Sequence, residues 1–338
     1  MAKAVLGIDV GYDSLKLALV KGKQVKKTAI VPMPNSLVRA GRIVSVETMG
    51  DLLRTAMKQN GIRCDRAALA LPNEAVFIRN VTMPIMTEEQ LKYNLPFEFR
   101  DYITDELKGY VFDYAMLSVS DGSASDEAET GDEQAAGGSM ELMAVAAPKG
   151  LLEESREYLH KAGMKLVKAA PTVSCFTNLI RKSGAPADTE YCILDLGYQA
   201  IRMYMFRGDR HIVTRVLEIG MSSLDRVIAE SRNVDEHLAH TYLLTNYEDC
   251  QNQESCRNAY GNITVELMRA LNFYRFSNPD SRLEDIWICG GGAMIRPLLD
   301  VIAETMDMKI HSAAELIPGG QAVEHDHALL QAIGIALE

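Results

Sequence analysis

Three turns carry the residues of this chain best suited to chemistry. The first is Asp9-Val10-Gly11-Tyr12-Asp13-Ser14-Leu15-Lys16, directly after the apolar run 4–8. The second is Asp195-Leu196-Gly197, after Tyr191-Cys192-Ile193-Leu194. The third is Gly290-Gly291-Gly292-Ala293, after Ile286-Trp287-Ile288-Cys289. A glycine in such a turn exposes backbone N–H groups, and N–H groups converging on one concavity bind phosphate oxygens. Asp9 cannot bind phosphate, since both are anionic. It can hold a hydrated Mg²⁺ that bridges to phosphates, with Lys16 supplying compensating charge. Asp195 offers the same geometry from a second place, including a water-mediated share of Mg²⁺, and an acid there can also polarise an attacking water. Two such turns facing each other would enclose a triphosphate from both sides. The glycines at 290–292 let a planar ligand lie against the backbone. They match neither the G-x-G-x-x-G spacing nor a phosphate loop ending in Gly-Lys-Ser/Thr. Each turn alone reads equally well as a hairpin or a strand–helix connection, so the signal is the combination in this order.

Composition narrows the partners. The 338 residues suffice for about two domains of roughly 100–200 residues. The net charge is −11, and more than half of it comes from six acids without a base between 118 and 140: Asp121, Asp126, Glu127, Glu129, Asp132 and Glu133. The remaining body is mildly acidic, which argues against nucleic acid or an anionic bilayer as a direct partner. No apolar run approaches the roughly 18–20 residues of a membrane span, so direct membrane insertion is not expected. The sequence runs almost at once into a strand pattern, so a cleavable signal is not expected. Six scattered cysteines fit the reducing cytosol, with Cys192 and Cys289 acting as small buried hydrophobes.

The elements that must position the turns follow from periodicity. Residues 4–20 read as strand, turn, strand with period two, and 25–31 completes a β-meander. Residues 191–194, 201–206 and 212–217 repeat that layout, so the architecture is internally duplicated. Helices are expected over 46–59, 149–162, 172–181, 295–306 and 328–337, with Gly163 closing the second of these. Residues 221–277 read as mostly helical. Short strands are expected over 67–71, 76–83, 110–119, 141–147, 166–169 and 283–289. Thr87 and Gln90 form a capping box opening a helix that runs toward 97–100. The stretch 120–139 reads as a solvated hairpin loop. His237-x-x-His240 followed by Cys250 and Cys256 raises zinc, but the spacing departs from the usual sites and a surface helix with a polar loop explains it more simply.

With these residues in view, the chain resembles the actin-like ATPase superfamily, the three turns standing as its two phosphate loops and its adenosine loop. Within that superfamily it resembles the PilM family, the FtsA-related proteins of the type IV pilus machine. Four stretches carry the likeness: 6–16; Ala70-Leu71-Pro72 with Val76-Phe77-Ile78-Arg79 and Met83-Pro84; 88–114, with Leu95-Pro96-Phe97-Glu98 and Asp113-Tyr114; and 288–298. The resemblance implies an α/β actin-like ATPase fold, two duplicated RNase H-like halves around a nucleotide cleft, with an FtsA-type inserted subdomain. It implies residues 1–85 plus 148–189 as the first actin-like subdomain and 86–147 as the insertion, its flexible acidic loop at 120–139. Residues 190–338 are the second half, with a smaller helical subdomain at about 221–277. It implies ATP and Mg²⁺ in the cleft, and a partner peptide from the cytoplasmic N-terminus of a PilN-like single-span membrane protein. The resemblance implies that the peptide lies in a groove between the first large subdomain and the inserted one, which residues 75–100 should help line. The protein is then cytoplasmic and reaches the membrane through its partner. Contacts with other pilus platform proteins and self-association stay open, as do an active ATPase, a small-molecule kinase, or an FtsA-like or MreB-like filament former.

Two departures mark this sequence. Gly197 is followed by Tyr198-Gln199-Ala200-Ile201, where relatives carry small residues and a Thr able to contact phosphate. The Ala-Glu-x-x-Lys-like segment of relatives becomes Asp235-Glu236-His237-Leu238-Ala239-His240: Glu236 can fill the acid's role, but the lysine is missing. Nucleotide binding with weak or absent hydrolysis is the expectation.

Overall fold

A computed structural model describes residues 3–34, 37–39, 41–120, 138–184, 186 and 188–337. The acidic stretch expected as a solvated loop lies, from 121 to 137, outside the described residues.

The chain opens with β1 (Val5–Val10), β2 (Ser14–Lys21) and β3 (Gln24–Pro32), the expected meander. Short strands β4 (Val38–Arg39) and β5 (Arg42–Ile43) pair with each other and lead into α1 (Val46–Gln59). The Ser45 hydroxyl caps α1 by accepting from the Thr48 N–H at 3.2 Å, and Met49, Leu53, Ala56 and Met57 are buried along one face. Next come β6 (Arg66–Leu71), β7 (Phe77–Pro84), α2 (Glu88–Asn94), β8 (Tyr110–Ser120), β9 (Ser139–Pro148), α3 (Lys149–Lys161), β10 (Lys165–Pro171) and α4 (Thr172–Ser183). The second part holds β11 (Glu190–Leu196), β12 (Ile201–Arg207), β13 (Arg210–Leu217), α5 (Ser222–Arg232), α6 (Glu236–Thr245), α7 (Glu254–Ser277), β14 (Asp285–Cys289), α8 (Arg296–Met306), β15 (Lys309–Ser312) and α9 (Asp326–Ala336).

Two five-stranded sheets have the same topology, β10-β6-β1-β2-β3 and β13-β12-β11-β14-β15. In each, the central strand is antiparallel to its hairpin partner and parallel to the strand on its other side. The central strands β1 and β11 are buried almost throughout, which is why their sequences are continuous apolar runs and not alternations. A three-stranded antiparallel sheet, β7-β9-β8, stands apart with α2 packed beside it.

A core cluster fills the space between the two large sheets. It joins Val5 and Ala18 of the first sheet to Tyr191, Ile193 and Tyr204 of the second, with Phe176 of α4 and the apolar length of α9 between them. The Phe176 and Tyr204 rings meet at 4.8 Å.

The structure departs from the sequence reading in three places. The helix after Thr87 keeps its capping box but ends at Asn94 and continues as a 3₁₀ turn over Leu95–Phe99, because Pro96 cannot donate to an α-helical ladder. Strand β15 and the β4–β5 hairpin were not expected: β15 is Lys-Ile-His-Ser, too short and polar to show period two. Among the described residues no helix is long and apolar enough to cross a membrane.

Phe176 is fully buried at the seam. Phe176→Ala is expected to cost about 3–5 kcal/mol of unfolding free energy, read as a lower urea midpoint at unchanged slope.

Candidate functional site: a cleft between the two large sheets

The first turn sits where β1 hands over to β2. Gly11 N–H donates to the Ser14 carbonyl at 3.0 Å, closing the loop. Asp9 and Lys16 are directly opposed across the hairpin, so their side chains share a face, and Lys16 Nζ lies 3.6 Å from Asp9 Oδ2. A Cβ on Gly11 would stand 2.7 Å from that ammonium group, so a side chain there would displace it. Ser14 is buried at the start of β2. Tyr12 lines a cavity of about 50 Å³ with Val38, Gly41 and Ile43.

The second turn lies deeper. Asp195 ends β11 with only 7% of its surface exposed, and its Oδ2 accepts from Gln331 Nε2 of α9 at 3.1 Å. Burial pushes its carboxyl above the usual range; Arg202 and Lys16 pull it back, and Asp9 and Glu74 push further. The two loops are therefore electrostatic neighbours although 186 positions separate Asp9 from Asp195. The glycine turn closes the same corner. Gly290 has φ +88°, and a Cβ there would stand 2.5 Å from Asp195 Oδ1. Its N–H donates to the His327 carbonyl at 2.9 Å, and the Ala293 N–H returns to the Gly290 carbonyl at 3.2 Å. Gly292 packs on Leu196 and Met221, while Gly291 has open space around it. Glycine is thus needed at 290 for both backbone sign and space, and the turn brings its backbone against the second acid.

Glu236 begins α6, whose N-cap Asp235 accepts from the Leu238 N–H at 2.9 Å. One turn further, on the same face, His240 reaches across the cleft. Its Nδ1–H donates to Asp225 Oδ2 at 2.9 Å, and its Nε2 stands 3.2 Å from Asp13 Oδ1. Two carboxylates can only accept, so both ring nitrogens carry protons and the ring is an imidazolium. The hydrogen bonds to Asp13 and to fully buried Asp225 raise its pKa to about 10, and Asp13 is lowered in turn. Tyr198 packs edge-on to this ring at 5.4 Å. The His-x-x-His spacing is thus used for an ion-pair clasp. Cys250 donates to the Tyr242 carbonyl at 3.2 Å instead of meeting His240, and among the described residues no group of three or more His, Cys, Asp or Glu side chains is placed to hold a metal directly.

A second tie crosses nearby. Arg202 of β12 places Nε and Nη2 at 2.6 and 2.5 Å from Glu74 Oε1, just after Pro72 at the end of β6. Farther out, Arg210 pairs with Glu141 of β9 at 2.9 Å, and Asn80 of β7 donates to the His211 carbonyl at 3.3 Å. These last two link the three-stranded sheet to the β12–β13 hairpin. Sequence reading missed Arg202, Glu74 and Asp225. Arg202 alone left a legible signal, a cation opposite the second Asp as Lys16 is opposite the first.

Two equivalent sheets meeting at paired Asp-x-Gly turns, with a glycine turn beside the second, define a protein of the actin-like ATPase fold. The family profile described as type IV pilus assembly protein PilM matches residues 7–337, and the chain belongs to that family. Among solved structures, a PilM–PilN type IV pilus biogenesis complex is similar at TM-score 0.78 and 22% identity, covering 100% of this chain and 98% of that one. The ethanolamine utilization protein EutJ from Carboxydothermus hydrogenoformans follows at TM-score 0.59 and 13% identity, covering 100% and 90%. MreB5 of Spiroplasma citri bound to ADP is similar at TM-score 0.51 and 12% identity, covering 93% of each chain. No curated protein matches the sequence.

The His240 clasp has a defined pH signature. Its folded pKa lies above its ordinary value of 6.5, so the stability it confers is full below about 6.5 and is lost as pH rises through about 10. Asp13 is lowered below 3.8, so its share persists down to acid pH. The urea midpoint of the unmodified protein minus that of His240→Gln is expected to be largest between pH 4 and 6.5 and to shrink toward pH 10. A difference that is flat across this range contradicts the clasp.

Proposed function

We propose that this chain is a cytoplasmic ATP-binding scaffold of the type IV pilus assembly platform, and that it binds the N-terminal cytoplasmic peptide of a PilN-like membrane protein. The observation that carries the nucleotide part is the convergence of Asp9, Lys16, Asp195 and the Gly290 turn on one cleft. On this reading the backbone N–H groups of the loops at Gly11 and Gly197 hold phosphate oxygens, with Tyr12, Asp13 and Ser14 shaping the first loop. The purine lies on Gly290, Gly291, Gly292 and Ala293, and Glu236 meets the nucleoside.

The donor set fits Mg²⁺. Asp9 and Asp195 are hard oxygen donors, and the buried Asp195 carboxyl, held above its usual range, gains from a nearby divalent cation. Both would hold it through water, and the bound ion would neutralise charge on the phosphates. Asp195 is the one residue we place to orient an attacking water. Gln331 already occupies one of its oxygens, and Tyr198-Gln199-Ala200 supplies no Ser or Thr hydroxyl next to Gly197, so we assign binding with slow or no turnover.

The partner reading draws support from family membership and from the surface of segment 75–100. There, Arg100 lies over the Phe97 ring at 4.2 Å, Arg79 lies over Tyr102 at 4.0 Å, and Tyr93 is 72% exposed. We read 1–85 with 148–189 as one subdomain, 86–147 as the insertion and 190–338 as the second half. The Arg210–Glu141 contact then transmits a change in the angle between the halves to the insertion, and the peptide binds in the groove between the insertion and the first subdomain.

The test is titration calorimetry with ATP, in Mg²⁺ and in chelator. Binding that weakens on chelation is expected, and Asp9→Ala should weaken it in Mg²⁺ while becoming insensitive to chelation. Unchanged affinity in Asp9→Ala removes that residue from the phosphates, and steady phosphate release well above background contradicts the scaffold assignment.

A further inference from the structure

The two Asp-x-Gly turns match over eight positions, not three. Asp9-Val10-Gly11-Tyr12-Asp13-Ser14-Leu15-Lys16 aligns with Asp195-Leu196-Gly197-Tyr198-Gln199-Ala200-Ile201-Arg202. Acid, aliphatic, glycine, tyrosine, two variable positions, aliphatic and cation recur in register. The structure repeats the pairing: Asp195 opposes Arg202 across β11–β12 as Asp9 opposes Lys16 across β1–β2. It also repeats the placement of the cation over the glycine. A Cβ on Gly197 would stand 3.3 Å from Arg202 Nη1, as one on Gly11 would stand 2.7 Å from Lys16 Nζ.

We propose that Arg202 is the cationic phosphate ligand of the second loop, binding the polyphosphate chain of a nucleotide from the side opposite Lys16. This rests on the nucleotide reading above and adds a residue to it. Arg202 supplies a cationic contact to a loop whose Tyr198-Gln199-Ala200-Ile201 carries no Thr beside the glycine. A guanidinium suits the task because it is planar, always charged and able to meet two phosphate oxygens at once. Its Nε and Nη2 are held by Glu74, while Nη1 faces the Gly197 loop with a 3.4 Å contact to the Ala200 carbonyl. Its side chain is only 18% exposed, so its charge is weakly screened. Glu74 is then a positioning residue, contributed by the first half to a ligand carried by the second.

The experiment measures affinities of the full chain for ATP, ADP and AMP with Mg²⁺, for the unmodified protein, Arg202→Gln, Arg202→Lys and Arg181→Gln. Arg181 of α4 pairs with Asp209 of the β12–β13 turn at 2.7 Å, so Arg181→Gln controls for loss of an ion pair between the halves that touches neither loop. Arg202→Gln is expected to weaken ATP by roughly tenfold or more, ADP less and AMP little. Arg202→Lys should recover part of the loss, and Arg181→Gln should stay near the unmodified value. Unaltered ATP affinity in Arg202→Gln overturns the proposal and leaves the nucleotide reading standing. An equal loss for ATP and AMP also overturns it, because Arg202 would then act only as a tie. Should Arg202→Gln fail to fold, Arg202→Lys decides, and full ATP affinity there overturns the proposal. An unmodified protein that binds none of the three overturns both.

Discussion

The rest of the site depends on one buried carboxylate. Asp195 sits at the end of a fully buried strand, and an ionised acid there needs partners. Gln331 gives a hydrogen bond from the last helix, and Lys16 and Arg202 give opposite charge from two hairpins. The Gly290 turn leaves the space that a Cβ would take. Each partner arrives from a different stretch of chain, so compensating this acid brings the two sheets, the C-terminal helix and the glycine turn to a single point. A cleft with two acids, two cations and convergent backbone turns follows from that packing.

Two kinds of contact hold the halves together. The apolar seam around Phe176 is continuous, whereas the contacts nearer the cleft are ion pairs: Glu74 with Arg202, and Asp13 with His240. Charge pairs re-form with little cost when a competing anion is offered, and packed side chains do not. A polyphosphate entering between the loops would compete with Asp13 for His240 and meet Arg202 through Nη1, with Glu74 still in place. The seam is thus hydrophobic, the ties nearer the cleft are electrostatic, and the three-stranded sheet is linked to the β12–β13 hairpin through Glu141 and Arg210.

Much of this was legible in the sequence because local rules and tertiary needs agree. Helix α1 begins and ends where its periodicity says, the Thr87–Gln90 box forms, and the two meanders fall where alternation places them. The order of the three turns, together with the wider stretches of likeness, pointed to the fold, which the similar structures share. What was not legible required three dimensions. His240 followed by two cysteines looks like a metal pattern, yet its acid partners are Asp13, 227 positions away, and Asp225 on the neighbouring helix. The second loop reads as impoverished over Gly197 and its next four residues, because Arg202 lies one position further and its relevance is set by cross-strand pairing. Strand β15 was invisible because an edge strand of four residues needs only parallel hydrogen bonds to β14, not an apolar run.

The central claim is that one nucleotide lies between the two Asp-x-Gly loops. It is tested most directly by a crystal structure of the full chain with Mg²⁺ and a non-hydrolysable ATP analogue. The account predicts a phosphate chain between residues 9–16 and 195–202, with the purine against 290–293. A nucleotide bound elsewhere, or a cleft with no nucleotide at saturating concentration, contradicts it.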